Sequence, residues 1–143
     1  MVHGKINHPH TLQCEVPYVN FVNRLENPLT NGSRADLVVF EGEMPRFIIE
    51  VKRHSAGMTQ INADLRRLLA ARTNSGAQTY LIVVSEGQRP ANFVLENGYA
   101  MRGMKNIADT NGNYRVRAAV KAAHSFRAIE RAQYACALKV ELN

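Results

Sequence analysis

The chain has 143 residues, 45% of them apolar, which is enough to bury one hydrophobic core and too few for two. Eighteen Lys and Arg against twelve Asp and Glu give a net charge of +6 at pH 7. Such a basic balance favours nucleic acid as a partner, ahead of an anionic membrane or an acidic protein, and is also compatible with a charge that serves only solubility. Neither a secretion signal nor an apolar run of membrane-spanning length is present in the sequence, so we expect no membrane association.

The two cysteines are predicted to be small buried apolar residues. Cys14 and Cys136 lie at opposite ends of the chain, among apolar neighbours and without a Cys-x-x-Cys or Cys/His spacing. This usage indicates a reducing compartment, and we expect the protein to be cytoplasmic.

The first predicted element is a short amphipathic helix that begins at Pro17 and ends near Asn27. Proline suits the first helical position, and the apolar residues follow helical spacing: Tyr18, Phe21, Val22 and Leu25. Two apolar runs come next, at residues 35–40 and 47–52, and Glu41-Gly42-Glu43-Met44-Pro45 joins them. Their composition and the turn between them predict a β-hairpin.

The clearest helix is predicted over Met58–Arg72, with Asn74-Ser75-Gly76 as its stop signal. The run Tyr80–Val84 predicts a strand covered on both faces. Residues 86–112 allow a short helix and a strand. Further on, apolar and polar residues alternate over 114–121 and again over 133–142, which predicts two strands, although a helix over Ala118–Cys136 competes because that segment is rich in alanine.

Three ionic residues interrupt the apolar hairpin: Asp36 in its first strand, and Glu50 and Lys52 in its second. If the hairpin turns about Glu43, Val38 stands opposite Ile48, and Asp36 stands opposite Glu50. Side chains directly opposite in an antiparallel pair are about 5 Å apart, so two carboxylates there require a cation. Lys52 projects from the same face because side chains alternate along a strand.

The alternative is that these residues form ordinary surface salt bridges, Asp36 and Glu50 pairing with Arg34 and Lys52. The neighbouring residues argue against it, because sequences such as Ile-Ile-Glu-Val-Lys favour burial. A buried carboxylate is too costly to retain without a compensating partner. We therefore favour a functional site.

The arrangement of Asp36, thirteen intervening residues and Glu50-Val51-Lys52 resembles the motif of the PD-(D/E)XK nuclease superfamily, which includes restriction-endonuclease-like and Holliday-junction-resolvase-like enzymes. The order helix, hairpin, helix, strand is similar to the αβββαβ core of that superfamily. The resemblance covers about residues 12–85, and Ala35 stands where the family name has proline. It implies a single nuclease-like α/β domain over 1–143, with a mixed central sheet flanked by helices and a C-terminal extension, 86–143, of strands.

The resemblance also implies a metal site and its chemistry. Asp36, Glu50 and the main-chain carbonyl of Val51 would be ligands of Mg²⁺, with Mn²⁺ as a substitute, since all three donors are oxygen. Lys52 would orient or deprotonate the attacking water and stabilise charge on the phosphate. A further acid at the first helix often completes such sites, and here it is Glu15 or Glu26, of which we prefer Glu15.

Other residues would assist the reaction or hold the substrate. Gln60, on a polar stripe of the second helix with Asp64 and Arg67, is similar to an auxiliary catalytic residue of the family, although a solvated helix face explains the stripe equally well. A basic rim would contact DNA phosphates, without excluding RNA; its principal members are Arg53, Arg66 and Arg67.

The sequence therefore predicts a metal-dependent nuclease that hydrolyses DNA phosphodiester bonds. One alternative is a non-catalytic module that binds nucleic acid or protein on the same scaffold, because a fold does not guarantee its usual activity. Another is a small subunit of a restriction or defence assembly. The lack of a separate recognition domain fits either such a subunit or a homodimer selective for DNA structure.

Overall fold

A computed structural model describes residues 9–122 and 133–141. Over these ranges the chain is a mixed α/β protein with one α-helix and one seven-stranded mixed sheet. The strands are β1 (His10–Pro17), β2 (Arg34–Glu41), β3 (Met44–Arg53), β4 (Gln78–Glu86), β5 (Lys105–Asn106), β6 (Asn113–Ala122) and β7 (Gln133–Glu141), and the helix is α1 (Met58–Ser75). The sheet order is β1-β2-β3-β4-β7-β6-β5.

The predicted hairpin is confirmed as strands β2 and β3. They pair antiparallel, with Val38 opposite Ile48 as expected. The turn lies at Gly42-Glu43, and Gly42 takes a positive φ of 62°, which favours glycine. The last pair in the register is Leu37 with Ile49, so the ladder ends one residue short of Asp36 and Glu50.

Helix α1 is also confirmed and links β3 to the parallel strand β4. It ends at Gly76, a left-handed cap whose N–H donates to the Arg72 carbonyl. Its buried stripe packs on one face of the sheet against β3, β4 and β7 and consists of Ile61, Asp64, Leu65, Leu68 and Ala71. Strand β4 alternates between fully and partly buried residues, so its second face is only partly covered.

The first predicted helix is wrong. Residues 10–17 form strand β1 at the edge of the sheet, and only a 3₁₀ turn follows, over Tyr18–Asn20. One helical turn does form, because the N–H groups of Phe21 and Val22 both donate to the Tyr18 carbonyl. It does not continue, since the Asn23 N–H donates instead to the carbonyl of Asn74 at the end of α1. The apolar spacing therefore reflects one turn whose side chains, Tyr18, Phe21 and Val22, pack onto the core. It does not indicate a longer helix.

The two predicted C-terminal strands are confirmed as β6 and β7, which pair antiparallel. The alternative prediction of a helix over 118–136 is wrong for residues 118–122 and 133–136, which are in strands. Residues 123–132 lie outside the described part. Between β4 and β6 the chain forms several turns, in the first of which the Pro90 carbonyl accepts from Phe93 and Val94. A short bridge between Val94 and Ala100 and then β5 follow. The short helix that the sequence allows in residues 86–112 does not form.

The two cysteines differ from each other. Cys136 is buried in the core, as predicted, whereas Cys14 is exposed on edge strand β1, so its predicted burial is wrong. Both are free thiols. In the described ranges, no helix combines the length and apolarity needed to cross a membrane.

Candidate active site

The candidate site forms where β2 and β3 stop pairing. Beyond Leu37 and Ile49, the Asp36 carboxylate replaces a ladder partner: the Val51 N–H donates to Asp36 Oδ2 at 2.7 Å. Both main-chain polar groups of a residue in an extended strand face the same neighbouring strand, so the Val51 carbonyl also faces β2. Asp36 thus lies beside the main-chain segment that the sequence predicts as a ligand.

Glu50 is the most deeply buried acid of the motif, with 4% of its surface exposed. Burial raises its pKa from the ordinary value of 4.5 to about 7. The hydrogen bond from Tyr18 and the charge of Arg67 oppose this rise, whereas the neighbouring Asp36 adds to it. Asp36 and Glu50 are therefore close enough to influence each other electrostatically, although their residues are not a pair of the regular ladder.

Tyr18 holds Glu50 from the β1 side of the site. Its hydroxyl donates to Glu50 Oε1 at 2.6 Å, and the ring is fully buried. Burial, and then the neighbouring Glu50, raise the pKa of this hydroxyl far above its usual range, so it remains a donor. The hydrogen bond fixes one carboxylate oxygen of Glu50 and leaves the other for another partner.

Lys52 is directed at helix α1 and not at Glu50. Its Nζ lies 2.9 Å from Asp64 Oδ2, and its side chain is 28% exposed. Asp64 is 3% exposed, and its other oxygen, Oδ1, is paired with Arg67 Nη2. Arg67 in turn reaches Glu50, with 3.9 Å between Nε and Oε1. A chain of alternating charges thus runs from Lys52 through Asp64 and Arg67 to Glu50.

The sequence misses two members of this site. Tyr18 is assigned to a helix that does not form. Asp64 is noted only as a member of a polar stripe, and the alternative explanation of that stripe, a solvated helix face, is wrong for this residue. A signal for Asp64 does exist: with Ile61, Leu65 and Leu68 it completes the spacing i, i+3, i+4, i+7 of the buried stripe. An acid at such a position needs a buried cationic partner.

The predicted auxiliary and rim residues have different environments. Gln60 is exposed in the first turn of α1, one turn before Asp64 and on the same side of the helix. Arg53 is exposed at the end of β3. Arg66 faces the loop before β6, where Nη1 lies 3.3 Å from the Ala108 carbonyl oxygen. Arg67 lies against the acids Asp64 and Glu50 with its side chain 30% exposed, and its predicted contact with DNA phosphates stays a prediction.

Neither acid proposed to complete the site lies on a helix. Glu15 is exposed in β1, at a position skipped by the β1–β2 register and with a φ of 53°. Glu26 is in a loop and pairs with Arg24 at 2.7 Å. Among residues 9–122 and 133–141, no three His, Cys, Asp or Glu side chains are grouped to hold a metal ion. The described site therefore offers two carboxylates and a main-chain carbonyl.

This donor set fits Mg²⁺ or Mn²⁺. Magnesium is commonly held by one or two carboxylates and completes its octahedron with water and substrate phosphate, so a third acid is not required. Two interacting carboxylates beside a main-chain carbonyl provide only oxygen, the donor these ions prefer. Searches against family models, curated proteins and solved structures found no match to this chain.

Proposed function

We propose that the protein is a divalent-metal-dependent nuclease that hydrolyses DNA phosphodiester bonds. The observation that carries the proposal is the buried carboxylate of Glu50 beside the partly exposed Asp36, at the point where two strands separate, with the Val51 N–H bound to Asp36. Burying an acid next to a second acid opposes folding, so the retention of Glu50 in an apolar hairpin is better explained by a cation that the two carboxylates bind.

The proposal gives a role to each residue of the candidate site named below. Asp36, Glu50 and the Val51 carbonyl would hold Mg²⁺ or Mn²⁺, and the bound ion would act as a Lewis acid on the phosphate. Tyr18 keeps Glu50 in place. Lys52, partly exposed, is available to orient the attacking water and to stabilise negative charge on the phosphate. Gln60 and Arg53, both exposed, are available to substrate near the same end of the sheet.

We also propose that the fold is a restriction-endonuclease-like core. The parts that agree with it are the β2–β3 hairpin, the helix α1 and the parallel strand β4. The net charge of +6 favours DNA or RNA as the substrate. The two free thiols suit a reducing compartment, and we propose the cytoplasm.

The test is a cleavage assay with supercoiled, linear, branched and single-stranded DNA and a matched RNA, each with Mg²⁺, Mn²⁺ or EDTA. We expect cleavage with either metal and none with EDTA. Glu50→Gln should reduce the rate by orders of magnitude while DNA binding persists, because the substitution removes a metal ligand and relieves repulsion of phosphate. Glu43→Gln, at the exposed hairpin turn, is the matched control and should cleave like the parent.

Equal cleavage by Glu50→Gln and the parent would contradict the proposal, because the activity would then lie elsewhere or belong to a contaminant. DNA binding without cleavage on any substrate would instead identify a non-catalytic module. Cleavage that requires a second protein would indicate a subunit of a larger assembly. Size-exclusion chromatography with light scattering would establish whether the active form is a homodimer.

A further inference from the structure

Arg67 is the cation nearest Glu50 in the described site. Its guanidinium lies between two acids: Nη2 is paired with Asp64 Oδ1, and Nε is 3.9 Å from Glu50 Oε1. Lys52 does not share this position, since its ammonium lies against the other oxygen of Asp64. The charge of Glu50 is therefore offset mainly by Arg67.

The contact between Arg67 and Glu50 is electrostatic and not a hydrogen bond. A separation of 3.9 Å exceeds hydrogen-bond distance, and the buried Nε has no hydrogen-bond partner among the described residues. Glu50 Oε1 already accepts the Tyr18 hydroxyl proton. The pairing with Asp64 fixes Arg67 to its own helix, three residues along the chain. Arg67 thus offsets the charge of Glu50 without forming a hydrogen bond to it.

We propose that Arg67 is the resident counter-cation of the Asp36–Glu50 pair and that it competes electrostatically with a divalent cation for this site. The inference rests on the proposed metal site at the same pair and assigns to Arg67 a regulatory effect on its affinity. With Asp36, Glu50 and Asp64 ionised, the five charged groups sum to −1, counting Lys52 and Arg67. Without Arg67 they sum to −2, which attracts a divalent cation more strongly.

The test measures metal binding in the absence of DNA. Mn²⁺ affinity is determined by isothermal titration calorimetry and by electron paramagnetic resonance of free Mn²⁺, at pH 8 and fixed ionic strength. Arg67→Met should bind Mn²⁺ roughly tenfold more tightly, because the positive charge nearest Glu50 is lost. Arg67→Lys keeps the charge and should stay within about threefold of the parent.

The matched control is Arg66→Met, which removes the same charge one residue away. Arg66 contacts the Ala108 carbonyl and Asp109 and not the acidic pair, so its loss should change Mn²⁺ affinity by less than about twofold. Thermal unfolding adds a second measurement. In EDTA, Arg67→Met should melt below the parent, and Mn²⁺ should raise its melting temperature by more than it raises that of the parent.

The possible outcomes separate this inference from the proposed function. Equal or weaker Mn²⁺ binding by folded Arg67→Met, with normal binding by the parent, overturns the competition and leaves the nuclease proposal intact. If Arg67→Met does not fold, Arg67→Gln is measured in its place and has the same expected tightening. Tightening without cleavage supports the competition and contradicts the nuclease. Absence of Mn²⁺ binding by the parent and all variants overturns both.

Discussion

Two glutamates of this chain each lie beside an arginine, but in very different surroundings. Glu26 pairs with Arg24 in a loop, where the two side chains are 46% and 76% exposed. Glu50 lies beside Arg67 under helix α1, where its side chain is 5% exposed. An exposed pair is screened by water and contributes little, whereas a buried pair pays for the desolvation of both charges. The sequence proposes both glutamates for one site, and only the buried one has the environment of a functional group.

The comparison predicts that substitutions at the buried site change activity and stability together, and that substitutions at the loop pair change neither.

Lys52→Ala should have the largest effect. Removal of an ammonium that orients water or stabilises charge on phosphate typically lowers a rate by roughly 10²–10⁴-fold. Mn²⁺ affinity should not fall, because Lys52 is not among the proposed ligands. The measurement is single-turnover cleavage together with calorimetric Mn²⁺ titration. Arg46→Ala, near the other end of β3 and paired with Glu41, is the control; cleavage reduced equally in both variants would argue against a specific role for Lys52.

The second prediction concerns pH and the burial of Glu50. Since its pKa is raised from 4.5 to about 7, the folded state binds the proton more tightly than the unfolded state does. The stabilisation is complete below pH 4.5 and is lost as the pH rises through about 7, a total of about 3 kcal/mol. Urea unfolding in EDTA should therefore show stability falling between pH 5 and pH 8.

Glu50→Gln isolates this contribution, because glutamine does not titrate. The variant should lose less stability than the parent over the same pH interval, with the difference reaching about 2 kcal/mol. Mn²⁺ should also reduce the pH dependence of the parent at the alkaline end, since it stabilises the ionised carboxylate. Parallel pH profiles for parent and variant would show that Glu50 titrates normally and is not buried as described.

The third prediction concerns Asp64. Asp64→Asn leaves Lys52 and Arg67 without their shared negative partner, and loss of one member of a buried ionic network costs about 3–5 kcal/mol. The two cations are 28% and 30% exposed, so water compensates part of the loss, and we expect about 2 kcal/mol in chemical unfolding. Asp109→Asn is the control, since its contact with Arg66 is exposed.

The ionic network also shows how far the sequence predicts the structure. The hairpin, α1 and the strands β4, β6 and β7 follow from local patterns: apolar alternation, helical periodicity, and glycine at the turn and the cap. The sequence identifies Asp36 and Glu50 as site residues because charged residues in an apolar strand are conspicuous. It does not identify Tyr18 or Asp64, because a tyrosine in an apolar pattern and an aspartate on a helix have ordinary explanations.

The failure over residues 17–27 has a similar cause. Tyr18, Phe21 and Val22 are spaced as on a helix because one turn does form there and packs on the core. Whether the helix continues depends on a long-range hydrogen bond, from the Asn23 N–H to the Asn74 carbonyl at 3.0 Å, which no local pattern encodes. The edge strand β1 depends on pairing with β2, so the local sequence does not predict it either.

The smallest effect is expected at Glu26, the loop acid that the sequence retained as a candidate ligand. Glu26→Gln removes only an exposed ion pair, so the free energy of unfolding should change by no more than about 0.5 kcal/mol. Mn²⁺ affinity and cleavage should match the parent, because Glu26 belongs to no group of metal-binding side chains in the described ranges. Glu15→Gln, on β1, is expected to behave in the same way. A loss of Mn²⁺ affinity in either variant, with unchanged stability, would identify that acid as a ligand and show that the metal-bound site extends beyond the Asp36–Glu50 pair.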